Sequence, residues 1–396
     1  MHSAILETSI QYDSCELGAV PMRIAQIAPL DESVPPRHYG GTERVVSYLT
    51  EELVAQGHDV TLFASGDSST SARLCPCCDL AQRSDTAIRD PLPDRLLMLA
   101  KVLRRAGEFD VLHFHTELLH LPLLSASNCT TVTTLHGRVD TPELSRFYNE
   151  FRDAPLVSIS SGQQASMLTA AWIGMVHHGL PKDLLAFHPD GSDGYLAFLG
   201  RICPEKRPDR AIEIANRCGI PLKIAAKVDR ADRDYWTKTI KPMIDASPLV
   251  EFLGEIDDTQ KGPFLGGARA LLFPIDWPEP FGLAMIEAMS CGTPVLAWRI
   301  GAATEVVEDG VSGFLVDNMT EAVAAVKRIR SLSRPSVRAT FERRFTASRM
   351  ARDYIRIYRQ LASGNATSSA AGSDAVQTAH DLTQSFGLSA ESPTTN

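Results

Sequence analysis

The sequence predicts an α/β protein made of two doubly wound units that face one another. Three observations carry this expectation. Apolar runs of strand length alternate with amphipathic helical stretches almost throughout, the pattern of a parallel sheet covered on both faces. The alternation restarts after a stretch containing Pro181, Pro189, Asp190 and Gly191, a composition suited to a linker. The chain has 396 residues, more than one hydrophobic core usually serves.

Residues 1–21 carry acids and no basic n-region, so they read as a disordered extension and not as a signal peptide. Arg23–Ala28 is the first strand of a unit spanning 22–180. Val45, Val46, Leu49, Leu53 and Val54 then recur at helical spacing, and Gly57 follows as the residue that ends the helix. Val60–Ala64 is a strand, and further strands are expected at 111–115, 131–136 and 156–160. After the linker at 181–191, a second unit spans 192–335. It opens with the strand Tyr195–Gly200 and the helix Asp209–Arg217, closed by Gly219. Strands at Leu222–Val228, Val250–Leu253, Ala270–Phe273, Val295–Trp298 and Gly313–Val316 follow, then a helix at Thr320–Ile329. Residues 336–362 are helical and amphipathic. Residues 363–396 are rich in Ser, Thr, Ala and Gly and are expected to be a disordered tail.

Composition narrows the function classes. Apolar residues make up 44% and charged residues 22%, as in a soluble globular protein. A formal net charge of −9 argues against nucleic acid as a partner. No apolar run approaches the ~18 residues that a membrane span needs, which leaves only peripheral membrane contact open. Arg328, Arg330, Arg334, Arg338, Arg343 and Arg344 read as a solvated basic face. Eight scattered cysteines read as thiols of a cytoplasmic protein. Cys75-Pro76-Cys77-Cys78 has no partner pair at zinc-site spacing, so no metal is expected.

Four motifs fall just after strands, where open α/β sheets hold their ligands. Tyr39-Gly40-Gly41-Thr42-Glu43-Arg44 opens a helix, with glycines that let backbone N–H groups approach an anion. Its plainer account is a tight turn with Thr42 as N-cap. Leu112-His113-Phe114-His115 places two histidines on one strand face, with His115 nearer the mouth; His120 and His136 add to the same rim. Gly200-Arg201 through Glu205-Lys206 offers a guanidinium fork and an ammonium that can converge on a phosphate, or simply form a solvated basic loop. The last motif, Trp277-Pro278-Glu279-Pro280-Phe281-Gly282-Leu283, leads into a helix that carries Glu287. Gly282 stands at the helix start, where N–H groups lack partners. A carboxylate at Glu287, in apolar company, needs hydrogen-bonding partners unless it merely lies on a helix surface.

Together these residues resemble family 4 glycosyltransferases over roughly residues 22–361. The resemblance rests on Gly40-Gly41, His115, Gly200-Arg201 with Glu205-Lys206, and the E-x7-E pair Glu279 and Glu287 around Pro280-Phe281-Gly282. It implies the GT-B fold, two Rossmann-like domains around a cleft, with the C-terminal helices crossing back onto the first. It implies a retaining hexosyltransferase that needs no cofactor and no metal, using a nucleotide-sugar donor, UDP- or GDP-hexose, and an acceptor it does not specify. Carried onto this chain, His115, Arg201, Lys206 and Glu279 would be catalytic. Gly41, Arg201, Lys206, Glu279, Phe281, Gly282, Leu283 and Glu287 would bind the donor, with Glu287 on the ribose. One departure is the short, alanine-rich segment 161–172, which would alter acceptor contacts. The alternatives are an epimerase or phosphorylase of the same fold, or an inactive nucleotide-sugar-binding protein. A dehydrogenase is disfavoured because the chain has no G-x-G-x-x-G.

Overall fold

The computed structural model describes residues 20–37, 40–124, 129–191 and 194–364. Tyr39 and nearly all of the two segments expected to be disordered lie outside the described residues. Ser363 and Gly364, assigned to the tail from sequence, instead continue the last helix.

The first sheet has seven strands. In chain order these are β1 (Arg23–Ile27), β2 (Asp59–Ala64), β3 (Arg73–Pro76), β4 (Val111–Phe114), β5 (Thr131–Thr134), β6 (Leu156–Ser158) and β7 (Trp172–Met175). They lie in the order β3-β2-β1-β4-β5-β6-β7, and every pairing is parallel. The second sheet has six: β8 (Tyr195–Arg201), β9 (Leu222–Lys227), β10 (Val250–Gly254), β11 (Ala268–Phe273), β12 (Val295–Trp298) and β13 (Gly313–Val316). Their order is β10-β9-β8-β11-β12-β13, again all parallel. Strand order therefore reverses between β1 and β4 and between β8 and β11.

The central strands are apolar and buried on both faces, as parallel strands between two helix layers must be. The strands that sequence patterning missed, β3 and β7, are sheet edges. β3 is only half-buried and ends at Pro76, which an edge tolerates because its missing N–H faces no neighbour. The cysteine run Cys75–Cys78 is thus largely a strand end, and Cys75, Cys77 and Cys78 are free thiols.

The helix after β1 spans Gly41–Ala55, and Gly57 follows it at φ 87°. Thr42 is not its N-cap: the cap is Gly40, which makes no side-chain capping bond, and Thr42 lies within the first turn. The first N–H groups of this helix are therefore not capped by a side chain.

After β13, the helix Arg334–Arg344 packs on the helix Leu283–Ser290. Thr346 then pairs with Leu180, with Leu180 N–H donating to Phe345 O at 2.9 Å and Ala347 N–H to Leu180 O at 2.8 Å. A final helix, 347–364, crosses back onto the first sheet. There Tyr358 accepts from Gln26 Nε2 at 3.1 Å and lies 2.6 Å from His113 Nδ1, while Tyr354 bonds Thr134 at 2.9 Å. The arginine cluster is not a uniform solvated face. Arg334 donates to the carbonyls of His188, Gly266 and Ala268, and Arg338, 8% exposed, donates to Ser290 O and Lys182 O. These guanidiniums satisfy loop carbonyls that would otherwise be buried without donors.

The crossing leaves no room at Gly179, where a Cβ would stand 2.3 Å from Thr346 O. Gly179→Ala is expected to cost about 1–3 kcal/mol or more, the range for overpacking a well-packed site, measured as a lowered urea midpoint.

Candidate active site

The loops at the two reversals meet. The loop after β1 delivers Gly40 and Gly41, and the loop after β11 delivers Glu279 to Leu283. A Cβ on Gly41 would lie only 3.8 Å from Leu283 Cδ1, so the glycine motif and the second acidic motif face each other. Between the two sheets is a cavity of about 580 Å³. Its size falls in the range of small-molecule sites. Gly41, Arg201, Lys206, Glu279, Phe281, Gly282, Leu283 and Glu287 all line it.

The second unit supplies charge and helix termini. Gly282, at φ 88°, caps the helix Leu283–Ser290 without a side-chain bond, and a Cβ there would approach Phe273 Cζ and Met285 Cε to 2.8 Å. Glycine alone fits, and the helix N-terminus stays open for an anion. Lys206 Nζ donates to Glu279 Oε2 at 2.5 Å and stands 5.6 Å from the ring centroids of Phe273 and Trp277. Arg201 lies 3.5 Å from Asp229 and 3.7 Å from Asp232. Lys206 ends a short 3₁₀ turn, Pro204–Lys206, and the chain bends sharply at the next residue. Arg207 is the single non-glycine residue at positive φ, 51°, among the described residues. It is held there by Asp209 at 2.8 Å and Asp276 at 2.7 Å, an arrangement that stores strain where Lys206 must be aimed. Behind Glu279, Ala302 N–H donates to Glu279 O, and a Cβ on Gly301 would stand 2.5 Å from Glu279 N.

Glu287 is not a surface glutamate. It is 5% exposed, and its partner within the protein is Lys261, whose Nζ donates to Oε1 at 2.8 Å. Lys261 comes from the helix Asp258–Gly266, and no motif in the sequence marked it. Burial works against its ammonium, but Glu287 and Asp258 hold its pKa above the ordinary value.

His115 requires a correction. It is 2% exposed and does not line the cavity; His136 and His178 do. The alternation of a strand puts His115 on the buried face that meets the crossing helix, one layer behind His136. The hydrogen bonds fix its tautomer as the amide of Gln26 is placed. Gln26 Oε1 can only accept, so His115 Nε2 donates to it at 2.7 Å. The neutral ring then accepts at Nδ1 from His136 Nε2 at 2.8 Å. His136 Nδ1 is left as a buried acceptor without a hydrogen-bond partner. His113 and His120 are buried and bonded to Thr134 and Thr133. Glu43, on the cavity wall, was marked only as part of the glycine motif; burial raises its carboxyl pKa to about 7. Among the described residues no group of three or more His, Cys, Asp or Glu is placed to hold a metal ion. No helix among them is long and apolar enough to cross a membrane.

Two family models match the chain, glycosyltransferase family 4 over residues 39–166 and glycosyl transferases group 1 over residues 186–344. The chain belongs to glycosyltransferase family 4. This glycosyltransferase is 28% identical over 350 residues to a phosphatidyl-myo-inositol mannosyltransferase of Propionibacterium freudenreichii, covering 79% of this chain and 87% of that one. It is 26% identical to a D-inositol 3-phosphate glycosyltransferase of Streptomyces scabiei, covering 76% and 81%. Solved structures with the same fold include sucrose-phosphate synthase from Thermosynechococcus elongatus, at TM-score 0.73 and 18% identity over 87% of this chain and 100% of that one. Anabaena HepE in complex with UDP-glucose matches at TM-score 0.65 and 18% identity, over 87% and 100%. The two parallel-sheet domains are those of the GT-B fold, and the protein is a retaining hexosyltransferase that uses a nucleotide-sugar donor.

Burial lowers the pKa of His113, His115 and His178 well below the usual 6.5, and brings those of His120 and His136 to about 3. Unfolded, these imidazoles take up protons near 6.5; folded, they stay neutral far below that. The unfolded state thus binds more protons as pH falls, and stability falls with it from about 6.5 downward. Glu43 acts oppositely, since its raised pKa adds stability below 4.5 that is lost as pH rises through about 7. Burial also raises the carboxyl pKa of Glu117 and Asp232 and lowers that of His58, so six histidines stand against three carboxyls, and urea midpoints measured between pH 7 and pH 4 are expected to drop steadily.

Proposed function

We propose that the enzyme moves a hexosyl group from a UDP- or GDP-hexose bound across the cavity, with the roles divided along its length. The observation that carries this reading is that Arg201, the Lys206–Glu279 pair, the open helix start at Gly282 and the buried Glu287 line one cavity. A nucleotide sugar carries a diol, a diphosphate and a polyhydroxyl ring in that succession. Glu287 suits the ribose diol, the N–H groups at Phe281 and Gly282 suit the diphosphate, and Glu279 suits the sugar hydroxyls. The complex of HepE with UDP-glucose supports a donor of this class.

In the step itself the bond from the anomeric carbon to the diphosphate oxygen breaks, and a bond to the acceptor oxygen forms on the same face. The proton of the acceptor hydroxyl passes to the leaving diphosphate. Arg201 and Lys206 meet the charge that develops on that leaving group, which is where preorganised cations lower a barrier most. Lys206 serves two partners, because its contact with Glu279 ties the sugar-facing carboxylate to the diphosphate-facing ammonium. His136, not His115, lies on the first-domain wall where the acceptor must approach. The named relatives glycosylate inositol lipids and inositol phosphate, which makes inositol-type polyols the first acceptors to try.

Transfer and donor hydrolysis are to be measured across UDP-, GDP- and ADP-hexoses. Lys206→Ala and Glu279→Ala are each expected to lower kcat/KM by about 10²-fold or more with the preferred donor. Unchanged turnover in both variants, or product epimerised and not transferred, would overturn the reading.

A further inference from the structure

One group of four charges, three of them in the cavity wall, takes no part in the bond exchange itself. Glu287 is paired with Lys261, and Lys261 Nζ also lies 3.1 Å from Asp258 Oδ1. Asp258 in turn accepts from the Arg44 guanidinium. Arg44 stands on the helix Gly41–Ala55 of the first domain, while Asp258, Lys261 and Glu287 belong to the second. Charges therefore alternate through Arg44, Asp258, Lys261 and Glu287 from one domain into the other. Arg44 is 7% exposed, Lys261 9% and Glu287 5%, whereas the Asp258 side chain keeps 42% of its surface.

We propose that Arg44, Asp258 and Lys261 are positioning residues that make nucleotide binding at Glu287 depend on the approach of the two domains. The proposal rests on the reading of Glu287 as the ribose contact. A ribose diol needs the Glu287 carboxylate charged and fixed in direction, and Lys261 is the group that fixes it. Lys261 is shared with Asp258, so its hold on Glu287 weakens if Asp258 has no other cation. Arg44 supplies that cation, and only a first domain seated against the second brings it within reach. Arg44, Lys261 and Glu287 all face the cavity, so a bound nucleotide screens them from water and strengthens the whole row. Linkage then runs in both directions: closure tightens nucleotide binding, and the nucleotide favours closure by the same factor.

The test uses the full chain with UDP and GDP as probes, by calorimetry and by small-angle scattering. Arg44→Ala is expected to weaken nucleotide binding about tenfold, the effect of a coupling of ordinary size, because Asp258 then draws Lys261 away from Glu287. Asp258→Asn, at a side chain that does not line the cavity, leaves Lys261 to Glu287 alone and should not weaken binding, and Arg44→Ala with Asp258→Asn should recover most of the affinity lost in Arg44→Ala. Arg44→Lys should recover most of the affinity, and compaction on adding nucleotide should be lost in Arg44→Ala. If Arg44→Ala weakens binding and adding Asp258→Asn restores none of it, Arg44 acts only by direct contact; if Glu287→Gln weakens binding while Arg44→Ala does not, Arg44 does not act at all; either result refutes the coupling. If Glu287→Gln itself leaves binding unchanged, it is the ribose assignment that fails. Should Arg44→Ala not fold, Asp258→Asn decides the matter alone, since weakened nucleotide binding in that variant contradicts the sharing of Lys261.

Discussion

Strand order reverses once in each sheet, and that reversal decides where everything else in this protein goes. At β1/β4 and at β8/β11 the connections leave toward opposite faces, so the carboxyl ends of these strands are not covered by their own helices. The second sheet brings Arg201, Lys206 and the Glu279 loop to its gap, and the first sheet brings Gly40, Gly41 and the histidine layer to the opposite one. Neither half is a complete site. The cavity exists because the two gaps face each other, close enough for Gly41 to lie beside Leu283.

What keeps them facing is the return of the chain. The last helix leaves the second domain at Thr346, pairs there with Leu180, and buries Tyr354 and Tyr358 in the first sheet. The Tyr358 hydroxyl ends a polar chain that runs through Gln26 and His115 to His136 at the cavity wall. The crossing therefore fixes not only the distance between domains but also which nitrogen of His136 carries a proton. Buried polar chains of this kind stabilise most when their members are satisfied, and in this one His136 Nδ1, at the cavity end, is left without a partner.

Much of this was legible in the sequence, for identifiable reasons. Buried parallel strands read as uninterrupted apolar runs, so β12 and β13 were delimited to the residue. Edge strands β3 and β7 were not seen, because half-exposed RLCP and WIGM have neither an apolar run nor alternation strong enough to register. Glycine and proline marked the Gly282 helix start, since steric limits act locally. Lys261 was invisible for the opposite reason: its partner is 26 residues away, and nothing in DTQKG announces that the ammonium turns inward. His115 shows the same limit. Strand alternation says that His113 and His115 share a face, but not that the face is covered by a helix whose Tyr358 lies 245 residues after His113.

The central claim is that one nucleotide sugar spans the second-domain wall of the cavity, from Glu287 to Glu279. A crystal structure of the chain with a bound nucleotide sugar tests this most directly. The account predicts the diphosphate on the N–H groups at Phe281 and Gly282 between Arg201 and Lys206, with the ribose hydroxyls on Glu287 and the hexose toward Glu279. A nucleotide seated in the first domain, or one whose ribose lies away from Glu287, would contradict it.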